Sequence, residues 1–400
     1  MDSILKAENL TAGYDKKSVV SGIDINALKG QVICLLGPNG AGKSTILRTL
    51  SGLLAPVSGT VEICGADISE KNSRERAKNL SVVLTAQNVP SLLTAFEVAA
   101  MGRTPYTDFL GRLTDEDRDI VAKALETTGA ADLSDRYFSE LSDGEKQKVM
   151  IARALAQEPR LIILDEPTSH LDIKHKIEVM RVINRLSNEK GITCILSLHD
   201  IDLALKCCRT VMLVSGGKIA ACGSPEEVAA EGTINKLYGI SGASYNELSG
   251  SVELKAPDRK EVFLLCGAGS GRGIMRSLVR SGKGVFAGVL HQGDSDYEAA
   301  MGICSAVISE KAFQPITAEK AEEAYKLLSD CEYVVDSGFP VGEINSANAE
   351  LLKKAALSGK KVLSLRNHDE AAEIFGEAAE KMEFFGSISE LTANITENKG

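Results

Sequence analysis

Two polar segments in the first half of the chain carry residue types suited to phosphate and metal chemistry. The first, residues 37–45, reads GPNGAGKST and lies between an apolar, strand-like segment and a segment with helical spacing. Strand, glycine-rich loop and helix form the setting of a P-loop, because glycines let successive backbone N–H groups converge on phosphate oxygens. The positive end of the following helix adds to this anion site. We expect Lys43 to neutralise the β- and γ-phosphates of a nucleotide and the Ser44 hydroxyl to ligate Mg²⁺.

The second polar segment is the adjacent pair Asp165 and Glu166, which follows the apolar residues 161–164. A buried strand has little use for two charges at its end unless a cation and a proton transfer need them. We expect Asp165 to hold Mg²⁺ through water and Glu166 to polarise the water that attacks the γ-phosphate. A solvated strand end is the alternative, and the upstream P-loop disfavours it.

Two single residues complete the set of candidates from the first half of the chain. His199 ends another apolar segment, residues 195–198, where a lone histidine is more often structural. Tyr14 lies in a turn ahead of the P-loop and has a π-face on which adenine can stack, although a lone tyrosine in a turn is usually an ordinary surface residue.

Composition limits the classes of protein that this chain can be. Its 400 residues exceed what one hydrophobic core usually serves, which predicts two domains. The formal charge of −10 argues against a nucleic acid partner. No apolar run approaches the roughly 18–20 residues that span a bilayer, and the N-terminus lacks the pattern of a signal peptide. The nine cysteines are scattered without metal-ligand spacing, which predicts reduced thiols in a cytoplasm.

The order of these segments resembles the ATP-binding cassette, the nucleotide-binding domain of ABC transporters. Residues 84–87 (LTAQ) resemble its Q-loop, residues 141–147 (LSDGEKQ) its signature, residues 168–172 (TSHLD) its D-loop, and His199 its switch histidine. Ser142 and Glu145 also form the S-x-x-E pattern of a helix capping box, so the signature has a structural interpretation as well. At this position in the order Tyr14 matches the adenine-stacking aromatic.

The resemblance implies roles for individual residues, with ATP and Mg²⁺ as cofactors. It implies that catalysis rests on Lys43, Gln87, Glu166 and His199, and that the metal is held by Ser44, Gln87 and Asp165. The nucleotide contacts that it implies are Tyr14, Gly37, Pro38, Asn39, Gly40, Ala41, Gly42, Lys43, Ser44, Thr45, Ser142, Gly144 and Asp172. The signature residues among them would face the nucleotide of a second copy, which implies a homodimer.

The signature departs from the family pattern, Leu-Ser-Gly-Gly-Gln, at Asp143, which replaces its first glycine. If the carboxylate faces the phosphate, repulsion would weaken closure of the dimer. If it faces away, it merely favours the N-terminus of the following helix. We favour the second arrangement because Ser142 and Gly144, the expected phosphate contacts, are intact.

Residues 101–106 (MGRTPY) resemble the helical subdomain of importers of iron chelates, haem and cobalamin. The resemblance implies an ATPase on the cytoplasmic face of the cell membrane that energises import of a metal chelate. The partners would be an integral membrane permease and, indirectly, a periplasmic or surface substrate-binding protein. The alternatives are a soluble cassette ATPase acting on nucleic acid or ribosomes, which the single cassette and acidic balance disfavour, and a transporter ATPase fused to a cargo-processing enzyme domain.

The fold class that follows is α/β, with two domains. Residues 1–255 are expected to form a P-loop NTPase cassette with a RecA-like core, an antiparallel β subdomain whose edge strands lie near residues 4–10 and 19–25, and a helical subdomain. Residues 256–400 alternate strands with helices, which predicts a doubly wound domain with a parallel sheet. The predicted elements of this second domain are strands at 262–266, 285–290, 306–308, 333–335 and 361–365, and helices including 318–328 and 347–357.

The second domain carries its own glycine-rich loop, residues 267–273 (GAGSGRG). The loop is similar to a dinucleotide fingerprint, but Arg272 stands at the position of the third glycine. Arg272 and a helix N-terminus favour an anion site, with Asp294, Ser295 and Asp296 as further candidates for ligand contact. Tight packing of strand on helix is the alternative. The domain's role stays open between a regulatory module that senses a nucleotide or the cargo and a dimerisation module.

Overall fold

The computed structural model describes residues 2–70, 72–84, 92–229, 234–235, 242–246 and 250–397. They form two compact units, Met1–Tyr238 and Gly239–Gly400. The sequence-based division between residues 255 and 256 lies too far towards the C-terminus, because a hairpin before it packs in the second unit. In that hairpin the Ser244 hydroxyl donates to the carbonyl of Gly302 at 2.8 Å. Within the described residues no helix combines the length and apolar character needed to cross a bilayer.

The first unit contains an antiparallel sheet with the strand order β2-β1-β4-β5. Its strands are β1 Ser3–Tyr14, β2 Lys17–Leu28, β4 Ser58–Ile63 and β5 Ala66–Asp67. The predicted antiparallel sheet is confirmed, but β1 is not an edge strand. Its residue Ala7 pairs with Ile25 on one side and with Val61 on the other, so of the two strands expected at an edge only β2 lies at one.

A second sheet of the first unit has six strands in the order β10-β9-β3-β8-β7-β6. They are β3 Val32–Leu36, β6 Leu80–Val83, β7 Leu161–Leu164, β8 Thr193–Leu198, β9 Thr210–Ser215 and β10 Lys218–Gly223. Neighbours pair in parallel except β9 with β10. Alternate residues of β3 face two cores: Ile33 packs against the antiparallel sheet, whereas Cys34 packs against helices. Because both faces are covered, these strands read as continuous apolar runs.

Three helices of the first unit, α3, α4 and α5, pack against one another in a helical layer. The described helices of the unit are α1 Lys43–Leu50, α2 Ser73–Ala77, α3 Ala95–Ala100, α4 Asp115–Thr128, α5 Asp143–Ala156, α6 Ile173–Lys190, α7 Ile201–Cys207 and α8 Pro225–Val228. Capping boxes begin α3, α4 and α5, with Thr94, Thr114 and Ser142 as N-caps. Their reciprocal hydrogen bonds satisfy orphan N–H groups of the first turn.

The segment MGRTPY ends α3 and ties the helical layer together. A Cβ on Gly102 would lie 2.1 Å from the carbonyl oxygen of Arg153, so glycine is required for the close approach of α5. The buried guanidinium of Arg103 donates to Asp117 at 2.8 Å, to Glu158 at 2.8 Å and to the carbonyl of Ala156 at 2.9 Å. The predicted helix stop is therefore also a packing and ion-pair centre.

The second unit contains a parallel six-stranded sheet, as the sequence predicted, with helices on both faces. Its order, β15-β14-β13-β16-β17-β18, is the 3-2-1-4-5-6 order of doubly wound dinucleotide-binding folds. The strands are β13 Val262–Leu265, β14 Val285–His291, β15 Ala306–Glu310, β16 Tyr333–Asp336, β17 Lys361–Ser364 and β18 Met382–Phe384. The sequence missed β18, because three residues carry too little periodicity to show a strand.

The remaining elements of the second unit cover this sheet. They are the hairpin β11 Ala243–Asn246 and β12 Ser251–Leu254, and the helices α9 Arg272–Arg280, α10 Ser295–Ile303, α11 Ala318–Asp330, α12 Ser346–Leu357, α13 His368–Phe375 and α14 Ile388–Glu397. Helices α9, α10 and α14 pack on one face of the sheet, and α11, α12 and α13 pack on the other.

Candidate functional site

The carboxyl ends of three adjacent strands, β3, β7 and β8, bring the sequence-predicted polar segments together. Leu36 pairs with Leu198, and Leu164 pairs with Leu196, so the residues that follow these strands meet at one edge of the sheet. Asp165 and Glu166 follow β7, and His199 follows β8. Parallel sheets place ligand sites at this edge.

The loop after β3 has the backbone geometry of an anion cradle. Gly40 and Gly42 have φ of +78° and +101°, which favour glycine. A Cβ on Gly37 would lie 2.2 Å from the carbonyl oxygen of Val214, so no larger residue fits there. The N-terminus of α1 begins directly after Gly42. The loop thus curls around a space where backbone N–H groups and the helix end favour an anion.

Lys43 is buried, and its ammonium group donates to the carbonyls of Gly37 at 2.7 Å and Pro38 at 3.1 Å. Burial lowers the pKa of Lys43, while the nearby carboxylates of Glu166 and Asp165 oppose that shift. Backbone carbonyls are weak partners for a buried cation. A phosphate oxygen would be a stronger partner, because a hydrogen bond between two charged groups is about twice as strong as a neutral one.

Two hydroxyl groups converge on one oxygen of the buried Asp165. Ser44 Oγ donates to Asp165 Oδ1 at 3.0 Å, and Ser197 Oγ donates to the same atom at 2.8 Å. Carboxylate and hydroxyl oxygens are the hard ligands that Mg²⁺ prefers in proteins. The donors at this point fit a small divalent cation held partly by protein and partly by phosphate oxygens.

Glu166 has an unusual backbone, with φ of +50°, which a residue carrying a Cβ adopts at a cost. Its N–H donates to Ser197 Oγ at 2.9 Å, and its side chain accepts from Ser169 Oγ at 3.0 Å. The other carboxylate oxygen contacts Nε2 of His199. Glu166 is thus a hydrogen-bonded base candidate with a histidine at its side.

Lys43, Ser44, Glu166 and His199 line one pocket of about 510 Å³, which we call the P-loop pocket, whereas Asp165 lines a neighbouring cavity that shares Glu166 with it. The lining residues of the P-loop pocket are Tyr14, Val19, Asn39, Gly40, Gly42, Lys43, Ser44, Thr45, Glu166 and His199. Tyr14 is 43% exposed, and its hydroxyl accepts from Arg48 at 3.4 Å. Sequence reasoning missed Val19, and it also missed Ser197, whose signal was a polar residue inside the apolar run that leads to His199.

Other predicted site residues do not line this pocket. Ser142 and Asp172 are the N-caps of α5 and α6, and they accept hydrogen bonds from the N–H groups of Glu145 and His175. Gly144 lies against the ring of His175, because a Cβ there would be 2.4 Å from a ring carbon. Gly37, Pro38 and Ala41 shape the loop, and Gln87 lies outside the described residues.

Asp143 opens α5 with its side chain 70% exposed, and its closest cation is Lys146 Nζ at 4.0 Å. It borders the neighbouring cavity of about 230 Å³ between α5 and the segment after β7, which Asp165 and Glu166 also line. The carboxylate is in the first turn of the helix, where negative charge is favourable.

In the second unit, the glycine-rich loop is occupied by the protein's own carboxylates. Asp296, fully buried, accepts from the N–H groups of Gly271 at 2.9 Å and Arg272 at 3.0 Å, and Asp294 accepts from Ala268 N–H at 2.9 Å. Burial raises the pKa of Asp296, against the opposing effect of these N–H groups. The two aspartates expected to face a ligand instead fill the place where a phosphate would bind.

The side chain of Arg272 also has an internal partner. It donates to the buried carboxylate of Glu253 at 2.9 Å, and Arg276 Nε donates to the same carboxylate at 2.9 Å. Ser270 and Ser337 hydroxyls, 2.6 Å apart, join the carboxyl ends of the two central strands, β13 and β16. These residues therefore do not form the expected anion site. They connect the loop, the strands and the helices of the unit to one another, as in the alternative of tight packing of strand on helix.

Comparison with known proteins agrees with the geometry of the first unit. A family model described as ABC transporter matches residues 20–169, and a model of the MJ0874 family matches residues 285–392. An uncharacterized ABC transporter ATP-binding protein of Methanocaldococcus jannaschii, MJ0873, is 44% identical over 72% of this chain and 100% of its own length. The chain belongs to the ABC transporter ATP-binding proteins. It is an ABC-type ATPase with a C-terminal MJ0874-family domain.

Two further relatives of this ABC ATPase are named for the transport of a metal chelate. The ferric enterobactin transport ATP-binding protein FepC of Escherichia coli is 37% identical over 59% of this chain and 87% of its own. The cobalamin import ATP-binding protein BtuD of Halobacterium salinarum is 33% identical over 74% of this chain and 76% of its own. Among solved structures, the dimeric ABC transporter cassette MJ0796 is 26% identical, with a TM-score of 0.50, over 56% of this chain and 99% of that one. ABC ATPases dimerise and act with permeases.

Proposed function

We propose that this ABC ATPase energises import of a metal chelate, an iron–siderophore complex, haem or cobalamin, through a separate permease at the cytoplasmic face of the membrane. The observation that carries the ATPase part is the convergence of Lys43, Ser44, Asp165, Glu166 and His199 at one end of the sheet. The cargo class rests on the relatives that carry ferric enterobactin and cobalamin names.

In the proposed hydrolysis, the residues of the site act on different parts of the nucleotide. The loop N–H groups and Lys43 hold the β- and γ-phosphates, and the ring of Tyr14 stacks on adenine. Ser44 and Asp165 would hold Mg²⁺, with Gln87 as a further ligand, and a bound ion would supply charge neutralisation to the phosphates.

Glu166 accepts a proton from the attacking water in this proposal, and His199 contacts the γ-phosphate. In the structure the side chains of Glu166 and His199 are hydrogen-bonded to each other. A bound γ-phosphate would compete for the His199 N–H and thereby release the carboxylate towards the water. The hydrogen bond of His199 would therefore depend on whether the γ-phosphate is present.

The second copy completes the site in the proposed dimer. Ser142, Gly144 and Asp172 do not line their own chain's P-loop pocket, and all three lie at or near helix N-termini, which favour anions. In a homodimer Ser142 and Gly144 would approach the γ-phosphate bound to the partner, and Asp172 would lie in the loop that crosses the interface, so that binding of ATP closes the dimer and hydrolysis opens it.

The test of the ATPase mechanism is Glu166→Gln. This variant keeps the shape of the side chain but cannot accept the proton, so we expect ATP binding to persist and turnover to fall by roughly 10²–10⁴-fold. Light scattering should show an ATP-dependent dimer in this variant. Near-normal turnover, or a monomer at saturating ATP, would contradict the mechanism.

The test of the transport role is the identity of co-purifying partners from solubilised membranes. A polytopic permease supports import, whereas ribosomal RNA would favour a soluble ATPase. Growth of a deletion strain on a ferric siderophore, haem or cobalamin as the limiting nutrient then distinguishes the cargoes. Growth unaffected on all three would remove the metal-chelate assignment.

A further inference from the structure

Ser197 is a polar residue between two leucines near the C-terminal end of a fully buried strand. It is the fifth residue of β8, between Leu196 and Leu198, and has no exposed surface. A buried hydroxyl is costly unless it is hydrogen-bonded. Because Leu196 pairs with Leu164 of β7, Ser197 lies beside the residues that follow β7, which are the two carboxylates of the site.

The Ser197 hydroxyl makes two hydrogen bonds, one to each of these carboxylate residues. It donates to Asp165 Oδ1 at 2.8 Å and accepts from the backbone N–H of Glu166 at 2.9 Å. A hydroxyl has one donor proton and two acceptor lone pairs, so both bonds form together. The atom that it contacts on Asp165 also accepts from Ser44 Oγ at 3.0 Å, which links Ser197 to the first turn of α1.

The bond to Glu166 acts where the backbone most needs support. Glu166 has φ of +50°, and such conformations persist only when surrounding contacts hold them. Its N–H is held by Ser197, and its carbonyl accepts from Ser169 N–H at 3.1 Å. These two bonds set the direction in which the carboxylate of Glu166 leaves the main chain.

We infer that Ser197 is a positioning residue for ATP hydrolysis, which orients the metal-holding carboxylate and the base through one hydroxyl group. The inference rests on the proposed function of Asp165 and Glu166. Ser197 does not line the P-loop pocket and acts only through the residues that it contacts. Its loss would misplace reacting groups while leaving the loop that binds the phosphates intact.

The test compares Ser197→Thr with Ser197→Val, since these side chains have nearly the same shape and only threonine has the hydroxyl. We expect the valine variant to lose about 10- to 100-fold in kcat relative to the threonine variant, the effect of a misplacement on the order of 1 Å. The half-saturating Mg²⁺ concentration should rise severalfold in the valine variant. Mg²⁺-free binding of a fluorescent ATP analogue should stay within about threefold, because Lys43 and the glycines are unchanged.

Thr193 provides a matched structural control on the same strand. Its hydroxyl is also fully buried, donates to the carbonyl of Leu28 at 3.0 Å and accepts from Gly30 N–H at 3.2 Å, at the opposite end of β8 from the site. Thr193→Val should lower the Tm relative to wild type by an amount similar to that by which Ser197→Val lowers it relative to Ser197→Thr, with kcat within about twofold of wild type.

Equal kcat in the threonine and valine variants, or an equal loss of kcat in Thr193→Val, would overturn the positioning role. Threonine and valine are both larger than serine, so both variants could fail to fold. In that case Ser197→Ala, which removes the hydroxyl without adding volume, replaces the valine variant, and we expect the same loss of kcat. Glu166→Gln is measured in parallel. Loss of turnover in Glu166→Gln with normal turnover in Ser197→Ala would reject this inference alone, whereas normal turnover in Glu166→Gln would reject the proposed function.

Discussion

Replacing Asp143 by glycine, the residue of the family signature, tests whether the aspartate at this position inhibits ATP hydrolysis. The carboxylate lies at the start of α5, is 70% exposed and is 4.0 Å from Lys146. Its favourable interaction with the helix N-terminus is on the order of 0.3–1 kcal/mol, and an exposed ion pair adds at most about 1 kcal/mol. Asp143→Gly should therefore lower the free energy of unfolding by about 1 kcal/mol.

The catalytic effect of the same substitution should be small. A change of less than about 1.4 kcal/mol corresponds to less than about tenfold in the ATPase rate. If the carboxylate instead faced a bound phosphate at about 4 Å, the repulsion would be on the order of 4 kcal/mol at an effective dielectric constant of about 20, or about 10³-fold. The two arrangements thus differ by a factor that a rate measurement resolves easily.

Steady-state ATPase assays on wild type, Asp143→Gly and Asp143→Asn provide the measurement. Asparagine removes the charge but keeps the shape and a favourable residue for a helix start, so it separates charge from backbone freedom. We expect both variants within about tenfold of wild type. A hundredfold rise in both would show that the carboxylate opposes the phosphate, and would refute the reasoning.

Two further predictions concern the helical layer and the second unit. Arg103→Met should lower the free energy of unfolding, measured by urea denaturation, by about 3 kcal/mol, because the buried Asp117 keeps its hydrogen bonds from Thr114 but loses its cation. The control is Arg112→Met at an exposed position, which should change the free energy of unfolding by less than about 0.5 kcal/mol. A loss below 1 kcal/mol for Arg103→Met would show that the ion pair is dispensable. NADH fluorescence should show no binding to the full chain at millimolar concentration, because a phosphate would have to displace the buried Asp296 from the loop. Binding that persists in excess ATP would contradict this.

Local signals in the sequence were strong wherever chemistry depends on neighbouring residues in the chain. The P-loop needs glycines, lysine and serine within a few positions, and the carboxylate pair needs only a strand before it, so both could be located without the fold. The capping box at Ser142 and the alternating pattern of the second unit were visible for the same reason, since both depend on periodicity and short-range contacts.

Contacts between distant segments account for what sequence reasoning missed. The role of Ser197 depends on the pairing of β7 with β8, which sets the hydroxyl beside Asp165. The position of β1 inside its sheet depends on β4, more than 40 residues later in the chain. The unit boundary moved because the hairpin of β11 and β12 packs on α10, a contact that no local composition reveals.

The sequence by itself determined the presence of a phosphate loop, a carboxylate pair and two α/β units, because these follow from residue type and short-range periodicity. Only the tertiary structure decided which charges meet. The sequence pattern of a glycine-rich loop with an arginine is the same whether the helix N-terminus is open to a ligand or filled by the protein's own Asp296. The ion pair between Arg272 and Glu253 likewise forms only after the chain has folded. Charge pairing is a property of distances in space, and the order of residues along the chain does not contain those distances.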